Sequence, residues 1–274
     1  IKKVKDIIIQ TKNNKLKIVP KFGLQFFYSK NGRKFLEKYK SDFWLDLKIN
    51  LNNQFYNKYF TERECDAIQT AAETIELEEG RIGNGETDPE APRDEASGTN
   101  DDLIRKSDVK WLMHHFLPED ISQKITDGIN QANLDANWMF QWDHIENHQY
   151  TIYRHRPDAK VTGDFYTWHT DSGATAQSEG GRIRNISSTI QLSNPDDYEG
   201  GHFQWIEPVG IFDKLKSTGV QSVNVDPYIQ TAPFSAKERG SFIIFPSFVH
   251  HQVQPVTRGT RVSLVSWYHG QPYV

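Results

Sequence analysis

The sequence predicts a mainly β fold with supporting helices, a sandwich or jelly roll. Three observations lead there. Two stretches with helical periodicity come early, near residues 61–75 and 117–129. From residue 138 the chain breaks into short runs rich in Val, Ile, Tyr, Phe and Trp, the residues that favour strands. Glycines and prolines separate those runs, as tight turns between strands require.

Residues 1–50 are lysine-rich, with 13 Lys/Arg against 4 Asp/Glu and a net charge of +9. Residues 7–9 and 16–19 are candidate short strands, and no chemistry is visible. We read residues 1–52 as a basic extension packed on the main domain rather than as a nucleic-acid contact. Thr61 followed by Glu64 forms a capping box, which starts a helix. Cys65, Ile68, Ala72 and Ile75 then recur at helical spacing, so this helix should face the core and end near Gly80. Residues 80–102 hold Gly83, Gly85, Pro89, Pro92 and Gly98 among many acids, a long surface loop or an active-site lid. The wider segment 61–102 has 3 Lys/Arg against 14 Asp/Glu, a net charge of −11.

Val109 and Trp111 alternate with polar residues as in a strand. Pro118 opens a second helix with Ile121, Ile125 and Ile129 on one face. Trp138, Phe140 and Trp142 alternate with Met139 and Gln141, which predicts a strand. Further strands are expected at 149–153, 166–171, 186–192, 202–206, 241–245 and 260–268. A turn at Pro157-Asp158, the Asn194-Pro195 pair, Gly200-Gly201 and Gly240 stand between them.

Composition excludes several classes. With a net charge of −4 and a pI near 6.2 the chain is a poor general polyanion binder, so no nucleic-acid partner is expected. No apolar run approaches membrane-spanning length, and no signal-peptide pattern opens the sequence. Cys65 is the single cysteine, which rules out an internal disulfide framework and a multi-cysteine zinc site. A reducing, cytoplasmic setting is the simplest expectation.

The chemistry is expected in Asp164-Phe165-Tyr166-Thr167-Trp168-His169-Thr170-Asp171. On one strand, residues two apart face the same side, so His169 and Asp171 can reach one metal ion. A distant histidine would complete two imidazoles and a carboxylate, a set that suits non-haem Fe(II) with open positions. His250 and His251 are adjacent on a candidate strand and cannot both serve; spacing alone does not choose. Arg261 follows ten residues after His251, and Ser263 shares its face. A guanidinium there can grip a carboxylate bidentately. The remaining histidines read as decoys. His144-Ile145-Glu146 reads as a surface turn, His114-His115 as structural, and His269 as lying beyond the sheet. His202 is left unassigned.

Four stretches then carry a family resemblance: Gln149-Tyr150-Thr151-Ile152-Tyr153, Tyr166 through Asp171, Gln191-Leu192-Ser193-Asn194-Pro195 through Gly201, and Arg239-Gly240-Ser241 through Arg261. From about Asn53 onward the chain resembles the iron- and 2-oxoglutarate-dependent dioxygenases of the prolyl 4-hydroxylase type, in their bacterial and phage-like branch. The resemblance implies a double-stranded β-helix, a cupin-like jelly roll, over residues 53–274. It selects His251 over His250, so that His169, Asp171 and His251 would bind Fe(II). Arg261 would hold the far carboxylate of 2-oxoglutarate, with Ser263, Tyr153 and Gln191 lining that subsite, and O₂ would take the remaining position. The implied reaction hydroxylates a C–H bond and releases succinate and CO₂, with ascorbate as an optional reductant. The implied partner is a proline-containing peptide or protein; a free amino acid, another small molecule, or a metal-binding module without turnover are the alternatives. Residues 80–102 and 206–238 are expected to flank the pocket mouth.

Overall fold

The computed structural model describes residues 53–83, 98–99, 101–157, 163–172, 181–207 and 226–271. It also describes the backbone of three strands, Lys2–Val4, Ile7–Lys12 and Lys15–Pro20, which pair antiparallel in a sheet of their own. The strands expected at 7–9 and 16–19 are therefore present and longer. Around the site the elements run β1 (Gln54–Tyr56), α1 (Glu62–Glu73), β2 (Glu78–Glu79), β3 (Arg105–Lys106), β4 (Asp108–Leu112), α2 (Glu119–Asp135), β5 (Trp142–Ile145), β6 (His148–Arg154) and β7 (Phe165–His169). They continue with β8 (Ile183–Gln191), β9 (Tyr198–Gly200), β10 (Phe203–Ile206), β11 (Ile229–Thr231), β12 (Phe242–Pro246), β13 (His251–Val253) and β14 (Val256–Gly270).

Thr61 caps α1 as its sequence predicts, accepting from the Glu64 N–H while the Glu64 carboxylate accepts from the Thr61 N–H. The helix is shorter than expected. It stops at Glu73, with Thr74 as C-cap, so Ile75 lies past its end. Helix α2 starts after Pro118 and buries Ile121, Ile125 and Ile129. The strand expected across 138–142 forms only from Trp142. Asn137 and Met139 have φ of 52° and 57°, a left-handed backbone that no strand accommodates. Trp138 and Phe140 are buried all the same.

Nine strands make the large sheet, in the order β1-β12-β8-β14-β6-β4-β2, with β5 and β9 also paired to β14. Five make the small one, in the order β11-β10-β13-β7-β3. Alternation along the large sheet separates two faces. Ile152, Ile190, Leu264 and Tyr268 pack outward into the core shared with Ile68, Ile125 and Ile129 of the helices. Gln149, Thr151, Tyr153, Thr189, Arg261, Ser263, Val265 and Trp267 point inward and line a cavity of about 310 Å³ against the small sheet. The helices thus brace the outer face and leave the inner one for chemistry. No helix among the described residues is long and apolar enough to cross a membrane.

Candidate metal centre and anion pocket

His169 ends β7 and His251 begins β13, and the two are register partners across the small sheet. Asp171 lies just beyond β7 rather than in it, a correction to the strand expected over 166–171. What aims it is the turn after β12: the Ser247 carbonyl accepts from the N–H groups of both Asp171 and Ser172, at 2.9 and 3.0 Å. The ligand-type atoms of His169, Asp171 and His251 all lie within 4.8 Å of one another. His250 is exposed and outside this cluster.

The tautomers follow from the partners. His169 Nδ1 lies 2.7 Å from the Thr167 carbonyl and His251 Nδ1 lies 2.9 Å from the Val249 carbonyl. A carbonyl can only accept, so each Nδ1 carries the proton and each Nε2 presents its lone pair. Those Nε2 atoms face the two Asp171 oxygens at 3.6 and 3.7 Å, too far for hydrogen bonds and open enough for an ion between. Burial works against ionised Asp171, but His251 and His169 beside it outweigh that and hold its carboxyl well below the usual range. Burial, then His169, pushes His251 down to about 4. Two neutral imidazoles and a carboxylate are the donor set that Fe(II) oxygenase chemistry uses, and these residues fit such an ion.

A bulge in β7 between Tyr166 and His169 brings those two rings to one side. They stack at 3.5 Å and 11°. Strict alternation would have separated them, so this contact was not legible in the sequence.

Arg261 is 4% exposed and lines the cavity. Its Nη1 reaches Ser263 Oγ at 3.4 Å and its guanidinium sits 5.6 Å from the centre of the Tyr153 ring. No carboxylate pairs with it among the described residues, whereas Arg154, Arg156, Arg182, Arg184, Arg239 and Arg258 each have one. A buried guanidinium without an anion is an unfilled anion site. Ser263 and Tyr153 also line the cavity; Gln191 does not, although its Nε2 is buried without a hydrogen-bond partner.

Two of the presumed decoys prove structural in another way. His144 and Ile145 lie in β5, and Glu146 lies in the short connection to β6 but is half-buried rather than at the surface. Its N–H donates to the Trp267 carbonyl, which sets its carboxylate against Arg184 at 2.6 and 2.5 Å and against His269 Nε2. His269 is buried within β14, not beyond the sheet. A bulge in β8 between Arg184 and Ile186 turns Arg184 inward, where it lines the cavity and lies 4.0 Å over the Trp267 ring. His202 lines a separate, open groove with Lys237 and Phe234. Arg105, Arg184 and Trp267 are the cavity residues that sequence reasoning passed over. None of these left a distinctive trace, since Arg105 is followed by Lys106 and Lys110 among the alternating residues.

The comparisons bear on this same stretch. Residues 148–269 match the model described as the 2OG-Fe(II) oxygenase superfamily. A PKHD-type hydroxylase of Azoarcus sp. (strain BH72) is 34% identical over 99 residues, 36% of this chain and 34% of that protein. A PKHD-type hydroxylase of Synechococcus sp. (strain JA-2-3B'a(2-13)) is 29% identical over 147 residues, 54% of this chain and 55% of that protein. The chain thus spans between about a third and about half of the length of these curated relatives. Among solved structures, a Trichoplax adhaerens prolyl hydroxylase in complex with a hypoxia inducible factor peptide fragment superposes with a TM-score of 0.50. It is 12% identical and covers 89% of this chain and 94% of its own, which bears out the jelly-roll fold. The stretch that matches the 2OG-Fe(II) oxygenase superfamily is thus the one that holds His169, Asp171, His251 and Arg261.

Proposed function

We propose that this chain is a dioxygenase that hydroxylates a C–H bond of a prolyl residue in a peptide or protein. The family match over residues 148–269 implies Fe(II), 2-oxoglutarate and O₂; ascorbate as a reductant is part of the proposal. The observation that carries it is the convergence of two Nε2 lone pairs and one carboxylate beside a buried arginine that lacks an anion. In this reading residues 53–274 are the catalytic domain and residues 1–52 a basic extension. When bound, Fe(II) and 2-oxoglutarate supply the oxidation, with 2-oxoglutarate leaving as succinate and CO₂ and one oxygen atom entering the C–H bond.

The protein's own work is placement and exclusion of water. His169, Asp171 and His251 hold the metal, their ring orientation set by the Thr167 and Val249 carbonyls. Arg261 and Ser263 hold the far carboxylate of the co-substrate, with Tyr153 as the wall beside it. Phe203 and Phe245 pack on the His251 ring at 5.6 and 4.7 Å and keep that side dry. The hydroxylase activity is carried over from the PKHD-type relatives, and the prolyl substrate class from the Trichoplax adhaerens prolyl hydroxylase and its peptide. The test is anaerobic loading with Fe(II) and 2-oxoglutarate, then O₂ and a proline-rich peptide library read by mass spectrometry. A gain of one oxygen atom on proline with matching succinate is the expected result. Metal and 2-oxoglutarate binding without any succinate would make the chain a binding module instead.

A further inference from the structure

The cavity holds a second buried arginine that the proposed chemistry leaves unused. Arg105, at the start of β3, is 7% exposed and lines the cavity. Its three hydrogen bonds all go to neutral acceptors: Nε to Ser107 Oγ at 2.9 Å, Nη1 to the Arg81 carbonyl at 3.0 Å and Nη2 to Gln149 Oε1 at 2.9 Å. No carboxylate pairs with it among the described residues. Arg105 and Arg261 are the two most deeply buried described arginines, and both lack the acid that their six partnered counterparts possess. Of the other two arginines that line the cavity, Arg184 is neutralised by Glu146 and Arg81 is exposed to water at the rim. Glu78 and Glu79 line the rim but are exposed to water, and Glu79 acts on Arg156.

The arrangement holds the cation in place. Its guanidinium lies 4.8 Å from the centre of the Tyr166 ring, and that ring stacks on His169. Arg105 is therefore one aromatic ring away from the metal centre. Gly80 closes over its stem: a Cβ there would fall 2.8 Å from Arg105 Nε and 2.3 Å from Ser107 Oγ. Charge counting then says what is missing. A ferrous dication, the Asp171 carboxylate, the 2-oxoglutarate dianion and the Arg261 cation sum to zero. The charge on Arg105 remains, in a wall where an unmatched ion is unfavourable.

We propose that Arg105 is a second anion site of the cavity, and that the substrate brings a carboxylate to it. This rests on the oxygenase chemistry of that reading, and it replaces an internal prolyl residue with a substrate that carries a free carboxylate. The carboxylate belongs either to a free amino acid or to the C-terminus of a peptide. Both present the same group within reach of the C–H bond to be hydroxylated, and the test separates them.

The experiment uses the full chain loaded anaerobically with Fe(II) and 2-oxoglutarate. Quenching of Trp111 and Trp267, which line the cavity, follows binding without turnover. Free L-proline is compared with prolinamide, and peptides ending in proline with their carboxamides. Wild type should bind the carboxylate member of one pair tighter by on the order of a hundredfold, as expected for a buried charge pair. Whichever pair shows the preference names the source. Arg105→Gln should erase the preference while its affinity for 2-oxoglutarate stays unchanged, and Arg105→Lys should keep part of it. A merely structural Arg105 would lower stability without touching the carboxylate-to-amide ratio. Equal binding of acid and amide by wild type, no carboxylate-dependent quenching in either pair, or a preference that survives Arg105→Gln would overturn the proposal. Failure of succinate formation would count against the oxygenase reading, whereas carboxylate discrimination without turnover would still support the Arg105 site.

Discussion

At the scale of single residues, His250 and His251 show how local geometry decides chemistry. They are neighbours in sequence, yet one is exposed and the other is buried against Phe203 and Phe245. His251→Ala should abolish tight Fe(II) binding, while His250→Ala should leave it within a few-fold; iron titration of the apo protein measures both. Equal losses would break the ligand assignment. Arg261 gives a second prediction. Arg261→Ala removes the buried cation beside Ser263, which costs roughly 3–5 kcal/mol if a carboxylate docks there. That is about two to four decades in 2-oxoglutarate affinity, with iron binding retained. Arg261→Lys should fall between, because it keeps the charge and loses the fork. The charge-transfer band of the anaerobic complex reports this directly. The H-x-D spacing and Arg261 were legible because each sits at or beside a strand whose pattern shows in the sequence. Arg184 was not. The bulge at Asn185 turns it inward, and no alternation rule announces a bulge.

At the scale of elements, the strand that opens at His148 ties the sheet to the helices' side. His148 is buried, its Nδ1 lies 2.7 Å from Ser266 Oγ on β14, and its Nε2 lies 3.4 Å from His114 Nδ1. Burial, with His114 adding to it, lowers its pKa from 6.5 to about 4. The folded state therefore binds this proton less well than the unfolded chain. Its contribution is fully present above pH 6.5 and is lost as pH falls from there through about 4. Glu146 adds a lower step. Burial would raise its pKa, but the bonds from His269 and Arg184 bring it from 4.5 to about 2, so its contribution is lost between those values. Chemical denaturation across pH should show stability declining from 6.5 downward, and His148→Gln should flatten the upper part of that decline. An unchanged slope would show that His148 titrates alike in both states. Helix α1 offers a simpler check: Thr61→Ala removes the cap and should cost about 1 kcal/mol, seen as a lower melting temperature. The helices were legible for the same reason that they are stable, since Thr61, Pro118 and the Ile121, Ile125, Ile129 stripe act locally. Residues 138–140 misled because Trp138 and Phe140 bury their rings from an irregular backbone, and burial without a strand looks like one in sequence.

At the scale of the whole molecule, the two long segments expected to flank the cavity part company. Arg81 and Ile82 of the first segment line it, as do Glu78 and Glu79 just before, whereas the described part of the segment from 206 to 238 contributes β11 to the far edge of the small sheet and Phe234 and Lys237 to another groove. Residues 84–97, 100 and 208–225 lie outside the described residues. Hydrogen exchange should therefore show protection at 78–83 and 101–107 when 2-oxoglutarate and a substrate occupy the site, and little change at 226–238. Protection of the second segment alone would reverse this assignment. The overall jelly roll was legible from strand number and turn spacing. Which loop closes on the cavity was not, because that depends on sheet order, and sheet order is set by pairings far apart in sequence.

Strand β14 pairs with β5, β6, β8 and β9, and it carries Arg261, Ser263, Trp267 and His269. During synthesis the ribosome delivers it after every partner. Contacts of such long sequence separation form late, so the wall that shelters His169, Asp171 and His251 closes only once β14 has docked. A purified chain ending at Pro255 should be digested rapidly by protease and should release iron on gel filtration. A chain ending at Gln271 should do neither. Integrity of the metal centre would then depend on the docking of β14, a strand far in sequence from His169 and Asp171.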